Sequence, residues 1–171
     1  MNVLKKYNAC GTFFLIGNKV DFYKDTLRRM LEEGSEIGNH SYDHKLLTRL
    51  SKEEFQDEIN NTQEAIKKIT GFTPTLFRPT YGGYTNSLKS YTDLKFVLWD
   101  VDSLDWKVKS KTKILKNVLP NVKSGSIILM HDNHRYALDA LEDIITNLKS
   151  DGYKFVTVSE LLELKNLRES E

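Results

Sequence analysis

His40 and His44 stand four residues apart in the run Gly38-Asn39-His40-Ser41-Tyr42-Asp43-His44. That spacing lets two imidazoles project from one face of a turn, where both can reach one divalent cation; neutral imidazole nitrogen binds Zn²⁺ and related ions readily. Two of the four histidines fall in this one segment, and clustering by chance on a solvated loop is the plainer alternative. A metal needs more than two ligands, so the third must come from elsewhere in the chain. Other side chains suited to acid, base or electrostatic work are Arg78 before Pro79, the acidic run Asp100, Asp102 and Asp105, and His131 followed by Asp132.

The elements that must position these groups follow from hydrophobic spacing. Residues 12–16 (TFFLI) read as a buried strand, 21–33 as a helix closed by Gly34, and 36–39 as a short strand that delivers His40. Ser51 and Glu54 form a capping box that starts a helix running to about Thr70, where Gly71 stops it. Residues 76–78 end a strand at Pro79, and 95–99 (KFVLW), 126–130 (SIILM) and 154–158 read as further strands. Helices are expected over 111–122, over 135–150, and from a Ser159 cap to about Leu167, before a charged tail. Strand then helix, repeated, argues a parallel sheet closed or nearly closed into a barrel, because each parallel crossover needs a helix outside the sheet. In such barrels chemistry sits at the strand C-termini, and His40, His44, Arg78, Asp105 and His131 all follow strands.

At 171 residues one domain is the default. With 25 basic against 24 acidic residues, charge gives no argument for nucleic acid or an anionic membrane. The single cysteine, Cys10, cannot form an internal disulfide, and its Ala-Cys-Gly context reads as packing rather than a nucleophile. No stretch approaches the roughly 20 apolar residues of a spanning helix, and the polar start lacks an export signal.

Taken together, the motifs resemble those of the polysaccharide deacetylases of carbohydrate esterase family 4, metal-dependent enzymes that remove acetyl groups from chitin-like sugars, peptidoglycan or xylan. His40-Ser41-Tyr42-Asp43-His44 resembles the family's metal-binding H-S/T-x-x-H motif, and Arg78-Pro79-Thr80-Tyr81-Gly82 its R-P-P-Y-G motif with Thr80 in place of the second proline. Asp102-Ser103-Leu104-Asp105-Trp106 fits D-x-x-D-W, Leu129-Met130-His131 fits L-x-H, and residues 12–17 are similar to the T-F-F-x-x-G strand. The family opens with a strand ending in an Asp-Asp pair, general base and third metal ligand. No residue here matches that pair, so the expectation is a single deacetylase-like catalytic domain over 1–171, a distorted and incomplete parallel (β/α) barrel shortened at its N-terminus relative to the family. A barrel lacking a strand has uncovered edges, which a second copy of the chain can cover.

What the resemblance implies for single residues is specific. His40 and His44 hold a divalent metal, Zn²⁺ with Co²⁺ as the alternative, which lowers the pKa of water from about 15.7 toward about 7. His131 protonates the leaving amine, Asp105 holds the other nitrogen of His131, Arg78 orients the aspartate base, and the Tyr81 amide helps to bind the oxyanion. Trp106 and Leu129 resemble the pocket for the acetyl methyl or are plain core; Tyr84 and Trp99 stack on sugars or simply pack. The implied function is metal-dependent hydrolysis of an acetamide carbon–nitrogen bond on an N-acetylated polysaccharide, peptidoglycan or chitin-like, in an extracellular or cell-wall setting if a longer form exists. Turnover by these 171 residues alone is expected to be absent or very low, and a catalytically impaired domain that only binds glycan is the alternative.

Overall fold

The computed structural model describes residues 1–169. In chain order the elements are α1 (Asn2–Lys6), β1 (Thr12–Leu15), a 3₁₀ segment (Gly17–Tyr23), α2 (Lys24–Glu32), β2 (Glu36–Asn39) and α3 (Lys52–Thr70). Next come β3 (Leu76–Phe77), a 3₁₀ turn (Thr80–Gly82), α4 (Asn86–Lys89), β4 (Lys95–Phe96), β5 (Val101–Asp102) and α5 (Asp105–Val108). The remainder is α6 (Lys111–Val118), β6 (Ile128–Leu129), α7 (Arg135–Ser150) and α8 (Val158–Glu169). All strand pairing is parallel, in one sheet of order β1-β2-β3-β4 and one pair, β5-β6. The chain divides into two compact units, Thr12–Leu98 and Met1–Gly11 with the described residues from Trp99 onward.

The first unit is built on α3. Ser51 Oγ accepts the Glu54 amide while the Glu54 carboxylate accepts the Ser51 amide, which satisfies two donors that a helix start otherwise leaves open. Gly71 ends the helix in the left-handed region at φ 72°, a conformation that costs glycine little. Phe55 and Ile59 of this helix pack with Leu47, Phe77 and Leu88 in the core. The 3₁₀ segment comes close to α3 at Gly17. A Cβ there would stand 2.5 Å from both Thr62 Oγ1 and Tyr42 Cδ2 and 3.0 Å from the Thr62 Cα. Gly17→Ala is therefore expected to destabilise this unit by about 1–3 kcal/mol, because backbone must shift to admit the methyl. Urea unfolding measures it, and an unchanged midpoint would mean that the 3₁₀ segment and α3 separate at no cost.

The second unit centres on Val101, Ile114, Val118, Ala140, Ile144 and Leu148. Helix α7 contributes the last three from one face, the helical spacing expected of a half-buried helix. The N-terminal turn is tied to α7: the Tyr7 hydroxyl donates to Glu142 at 2.6 Å, Lys6 pairs with the same carboxylate at 2.7 Å, and Lys149 Nζ donates to the Tyr7 carbonyl. Cys10 is half-buried with Sγ 3.4 Å from the Phe155 carbonyl, a packing environment.

Several expected elements are corrected. No strand forms over 154–158; Thr157 instead opens α8, its Oγ1 accepting the Glu160 amide while the Glu160 carboxylate accepts the Thr157 amide at 2.7 Å, so Thr157 and not Ser159 is the cap. The strand expected over 95–99 is cut to Lys95–Phe96 because the carbonyls of Val97 and Leu98 are taken by the Arg78 guanidinium. The 126–130 run forms ladder only at Ile128–Leu129, after which the His131 amide turns to a carboxylate. The helix expected over 21–33 begins as 3₁₀ at Gly17 and becomes α only at Lys24. The helix expected over 111–122 changes to 3₁₀ at Leu119, where Pro120 has no amide to donate. Of the charged tail, residues 170–171 lie outside the described residues. Among the described residues no helix is long and apolar enough to cross a membrane.

Candidate functional site

In the first unit the chemical residues follow the C-terminal ends of β2 and β3. His40 leaves β2 with its amide donating to the Leu15 carbonyl, and its Nδ1 lies 2.6 Å from the Arg78 carbonyl. A carbonyl can only accept, so the proton sits on Nδ1 and the lone pair on Nε2, the tautomer a metal ligand needs. The His40 and His44 rings meet edge to face with centroids 5.0 Å apart, and the Tyr81 ring lies edge to face against His44 at 4.8 Å. Ser41, His44 and Tyr81 all adopt left-handed backbone, with φ of 65°, 57° and 57°. Side chains other than glycine take that region at a cost, and such residues gather where the surrounding structure dictates the shape of a site.

The loop between the histidines gets its shape from side chains. The amides of Ser41 and His44 donate to Asn39 Oδ1 and Ser41 Oγ, and those of Tyr42 and Asp43 donate to the Glu58 carboxylate. The Thr80 hydroxyl donates to the Lys45 carbonyl at 2.5 Å, so the threonine at the R-P-T-Y-G position ties that turn to the histidine loop. Arg78 is buried, its guanidinium 4.1 Å from the centre of the Phe14 ring, with Nε and Nη2 donating to the carbonyls of Val97 and Leu98. Burial lowers its pKa to about 10, which leaves it charged at neutral pH.

In the second unit Asp105 and His131 follow β5 and β6. Leu104, at φ 54°, turns the chain so that the Asp105 carboxylate is fully buried. Its oxygens accept from His131 Nδ1 at 2.7 Å, the His131 amide at 2.6 Å and the Trp106 amide at 2.8 Å. Burial pushes the Asp105 carboxyl up, but the bonds from His131 and Trp106 outweigh it and hold the group below its ordinary value. His131 is raised above its ordinary value, first by the hydrogen bond to Asp105 and against the effect of burial. Leu129 is buried in β6, whereas Trp106 is 54% exposed. Tyr84 packs in the other unit, its ring 5.5 Å from Phe96 with Lys89 over its face.

The donor set in the histidine loop fits a divalent cation in part. Two imidazoles are present and one is held in a ligating tautomer, yet among the described residues no group of three or more His, Cys, Asp and Glu side chains is placed to hold a metal. Two residues of this loop's surroundings escape notice in the motifs, Asn39 and Glu58. The signal for Glu58 was available: it stands three residues after Phe55 and four before Thr62, a carboxylate on the buried stripe of α3.

Comparison with known proteins bears on the family and the fold. The family model for polysaccharide deacetylase matches residues 1–98. The peptidoglycan-N-acetylmuramic acid deacetylase PdaC of Bacillus subtilis is 48% identical over 170 residues, which cover 99% of this chain and 36% of that protein. Its solved structure superimposes with a TM-score of 0.96, covering 84% of the solved chain. The peptidoglycan-N-acetylglucosamine deacetylase PgdA of Listeria monocytogenes is 39% identical over 161 residues, 94% of this chain and 34% of that protein. A pseudoenzyme of carbohydrate esterase family 4 from Bacillus anthracis is 31% identical with a TM-score of 0.87, covering 94% of this chain and 58% of the solved chain. The chain thus spans about a third of the length of the curated relatives it matches. With parallel α/β architecture of the deacetylase type, and with the family model matched over more than half its length, the chain belongs to the polysaccharide deacetylase family.

Proposed function

We propose that the chain is the catalytic part of a metal-dependent hydrolase that removes acetyl groups from N-acetylated cell-wall polysaccharide, with peptidoglycan as the substrate. The observation that carries this reading is the buried Asp105 carboxylate bonded to His131 Nδ1, in a chain 48% identical to a peptidoglycan-N-acetylmuramic acid deacetylase. With Nδ1 committed to Asp105, Nε2 is the nitrogen of His131 that carries a proton outward. An amine leaves poorly unless it is protonated as its C–N bond breaks, and an imidazole whose charged form is favoured by a carboxylate supplies that proton near neutral pH.

His40 and His44 would hold a divalent cation, Zn²⁺ or Co²⁺. Such a cation supplies Lewis-acid polarisation of the acetyl carbonyl and makes water more acidic. Tyr81, held in its left-handed turn, would offer its backbone amide to the developing oxyanion. Arg78 would orient a carboxylate base, and Trp106 and Leu129 would contact the acetyl methyl. The products are acetate and a glucosamine-type amine, and the location is the cell wall.

A second reading, glycan binding without turnover, is favoured by the lack of a third metal ligand among the described residues and by likeness to a pseudoenzyme. Acetate release from N-acetylglucosamine oligomers and from peptidoglycan, in Zn²⁺, separates the two. The expected result is slow release that His131→Ala lowers by about 10²-fold or more. Oligomer binding with no acetate above the buffer control would leave the binding reading standing and remove the hydrolase.

A further inference from the structure

Helix α3 turns Phe55, Ile59, Thr62, Ile66 and Ile69 inward, and Glu58 falls on the same face with 3% of its surface exposed. A carboxylate leaves water at high cost unless hydrogen bonds replace what it loses. All the partners that replace them here lie in one segment. Oε2 accepts the amides of Tyr42 and Asp43, each at 2.8 Å, and Oε1 pairs with Lys45 Nζ at 2.8 Å. That segment carries His40 and His44.

The four consecutive amides 41–44 are all bonded to side chains, from Asn39, Ser41 and Glu58. Ser41 belongs to the loop and moves with it, whereas Asn39 ends β2 with its Nδ2 donating to the Ile59 carbonyl and to Gln63 Oε1 of α3. Of the side chains that accept these four amides, Glu58 alone lies outside both the loop and the strand that enters it, on α3, which is pinned by its capping box and its core face. Two adjacent amides converging on one oxygen restrict the backbone between the histidines, and the left-handed residues Ser41 and His44 stand on either side of them. Without that anchor the amides of Tyr42 and Asp43 lose their acceptor, while the carbonyls of Ser41, Tyr42 and Lys45 stay bonded to the Gly17 amide, the Asn18 amide and the Thr80 hydroxyl.

We propose that Glu58 is a positioning residue for the His40–His44 pair: by anchoring the amides between them to α3, it sets the separation of the two imidazoles and thereby their joint affinity for a divalent cation. The inference rests on the reading of those histidines as metal ligands. Its first consequence, the shape of the loop, can be measured without metal.

The test uses the full 171-residue chain with Glu58→Ala, Glu58→Gln and His40→Ala. Amide hydrogen exchange followed by NMR in metal-free buffer reads the loop, and calorimetric titration with Zn²⁺ reads the site. In Glu58→Ala the amides of Tyr42 and Asp43 should exchange at least about 100-fold faster, while those of Ile66 and Ile69 in the same helix keep their protection. Zn²⁺ affinity should fall about tenfold or more, in the range seen when outer partners of metal ligands are removed. Glu58→Gln keeps an oxygen that can accept both amides but turns its NH₂ toward the Lys45 ammonium, so it should recover part of both effects, and it serves alone if the alanine variant does not fold. Unchanged exchange at Tyr42 and Asp43, unchanged Zn²⁺ affinity, or loss of protection spread evenly over α3 overturns the inference while His40→Ala still abolishes binding. Zn²⁺ binding indifferent to His40→Ala overturns the metal reading itself, and the affinity half of the inference falls with it.

Discussion

Asp105→Asn is expected to lower the pKa of His131 and to destabilise its unit by about 1–3 kcal/mol, the penalty for stranding a buried donor. The wild-type carboxylate accepts three hydrogen bonds, two from backbone amides and one from the imidazole. An asparagine has one oxygen to offer, and wherever its NH₂ is placed it meets at least one of those donors. Burial of His131 persists in the variant while the Asp105 carboxylate, the largest cause of the raised value, is gone, so the imidazole should titrate below its wild-type value. The signs of the two shifts fix the pH window. His131 has a raised folded pKa, so its contribution is full below 6.5 and is lost as pH rises through the folded value. Asp105 has a lowered folded pKa, so its contribution is present above 3.8 and is lost as pH falls through the folded value. The stability gap between wild type and variant should therefore be widest between those two pH values and shrink on both sides. Urea unfolding across that range, with NMR titration of the ring, reads both halves. A gap that does not vary with pH, or an unmoved His131, would remove Asp105 from its proposed role.

The parts of the fold that could be read in the sequence were those in which the deciding contacts are local. Ser51 and Glu54 sit three residues apart and cap each other, and Gly71 needs no partner to turn left-handed, so Lys52–Thr70 was legible at both ends. The apolar spacing of Arg135–Ser150 and the Gly34 stop behind α2 are of the same kind. Strand lengths were not legible, because distant side chains decide where ladder bonding ends. Arg78 captures two carbonyls some 20 residues away, and so shortens a run of apolar residues that pattern alone extends. At 154–158 apolar alternation suggested a strand, while a threonine and a glutamate three residues apart, the same device as at Ser51, were the stronger signal. The candidate site divides in the same way. Motif spacing marks His40, His44, Arg78, Asp105 and His131, whereas Asn39 and Glu58 act through backbone amides and leave no motif; only the misplaced charge on an apolar helix face betrays Glu58.

Removing either imidazole should weaken Zn²⁺ binding more than any substitution around it. Among the described residues the pair stands without a third side-chain ligand, so the 171-residue chain should bind Zn²⁺ weakly to begin with, water filling the remaining positions. Loss of one of only two protein ligands then leaves a single imidazole, little better than the free amino acid. Changes to outer partners of ligands cost about 10–100-fold in affinity, and His40→Ala or His44→Ala should exceed the upper end of that range. His40 carries a further consequence through its bond to the Arg78 carbonyl: with Nδ1 holding the proton, a cation held by His40 would have to bind at Nε2. His40→Gln, which keeps a donor but no ligating nitrogen, should therefore fail as completely as alanine. Both imidazoles must be neutral to coordinate, and binding should weaken with falling pH and release protons that calorimetry in buffers of different ionisation enthalpy counts. Co²⁺ adds an optical signature, since a site with fewer protein nitrogens gives a weaker, more water-like spectrum. Tight, stoichiometric binding that survives either substitution would place the metal elsewhere in the chain and take the catalytic reading of the histidine loop with it.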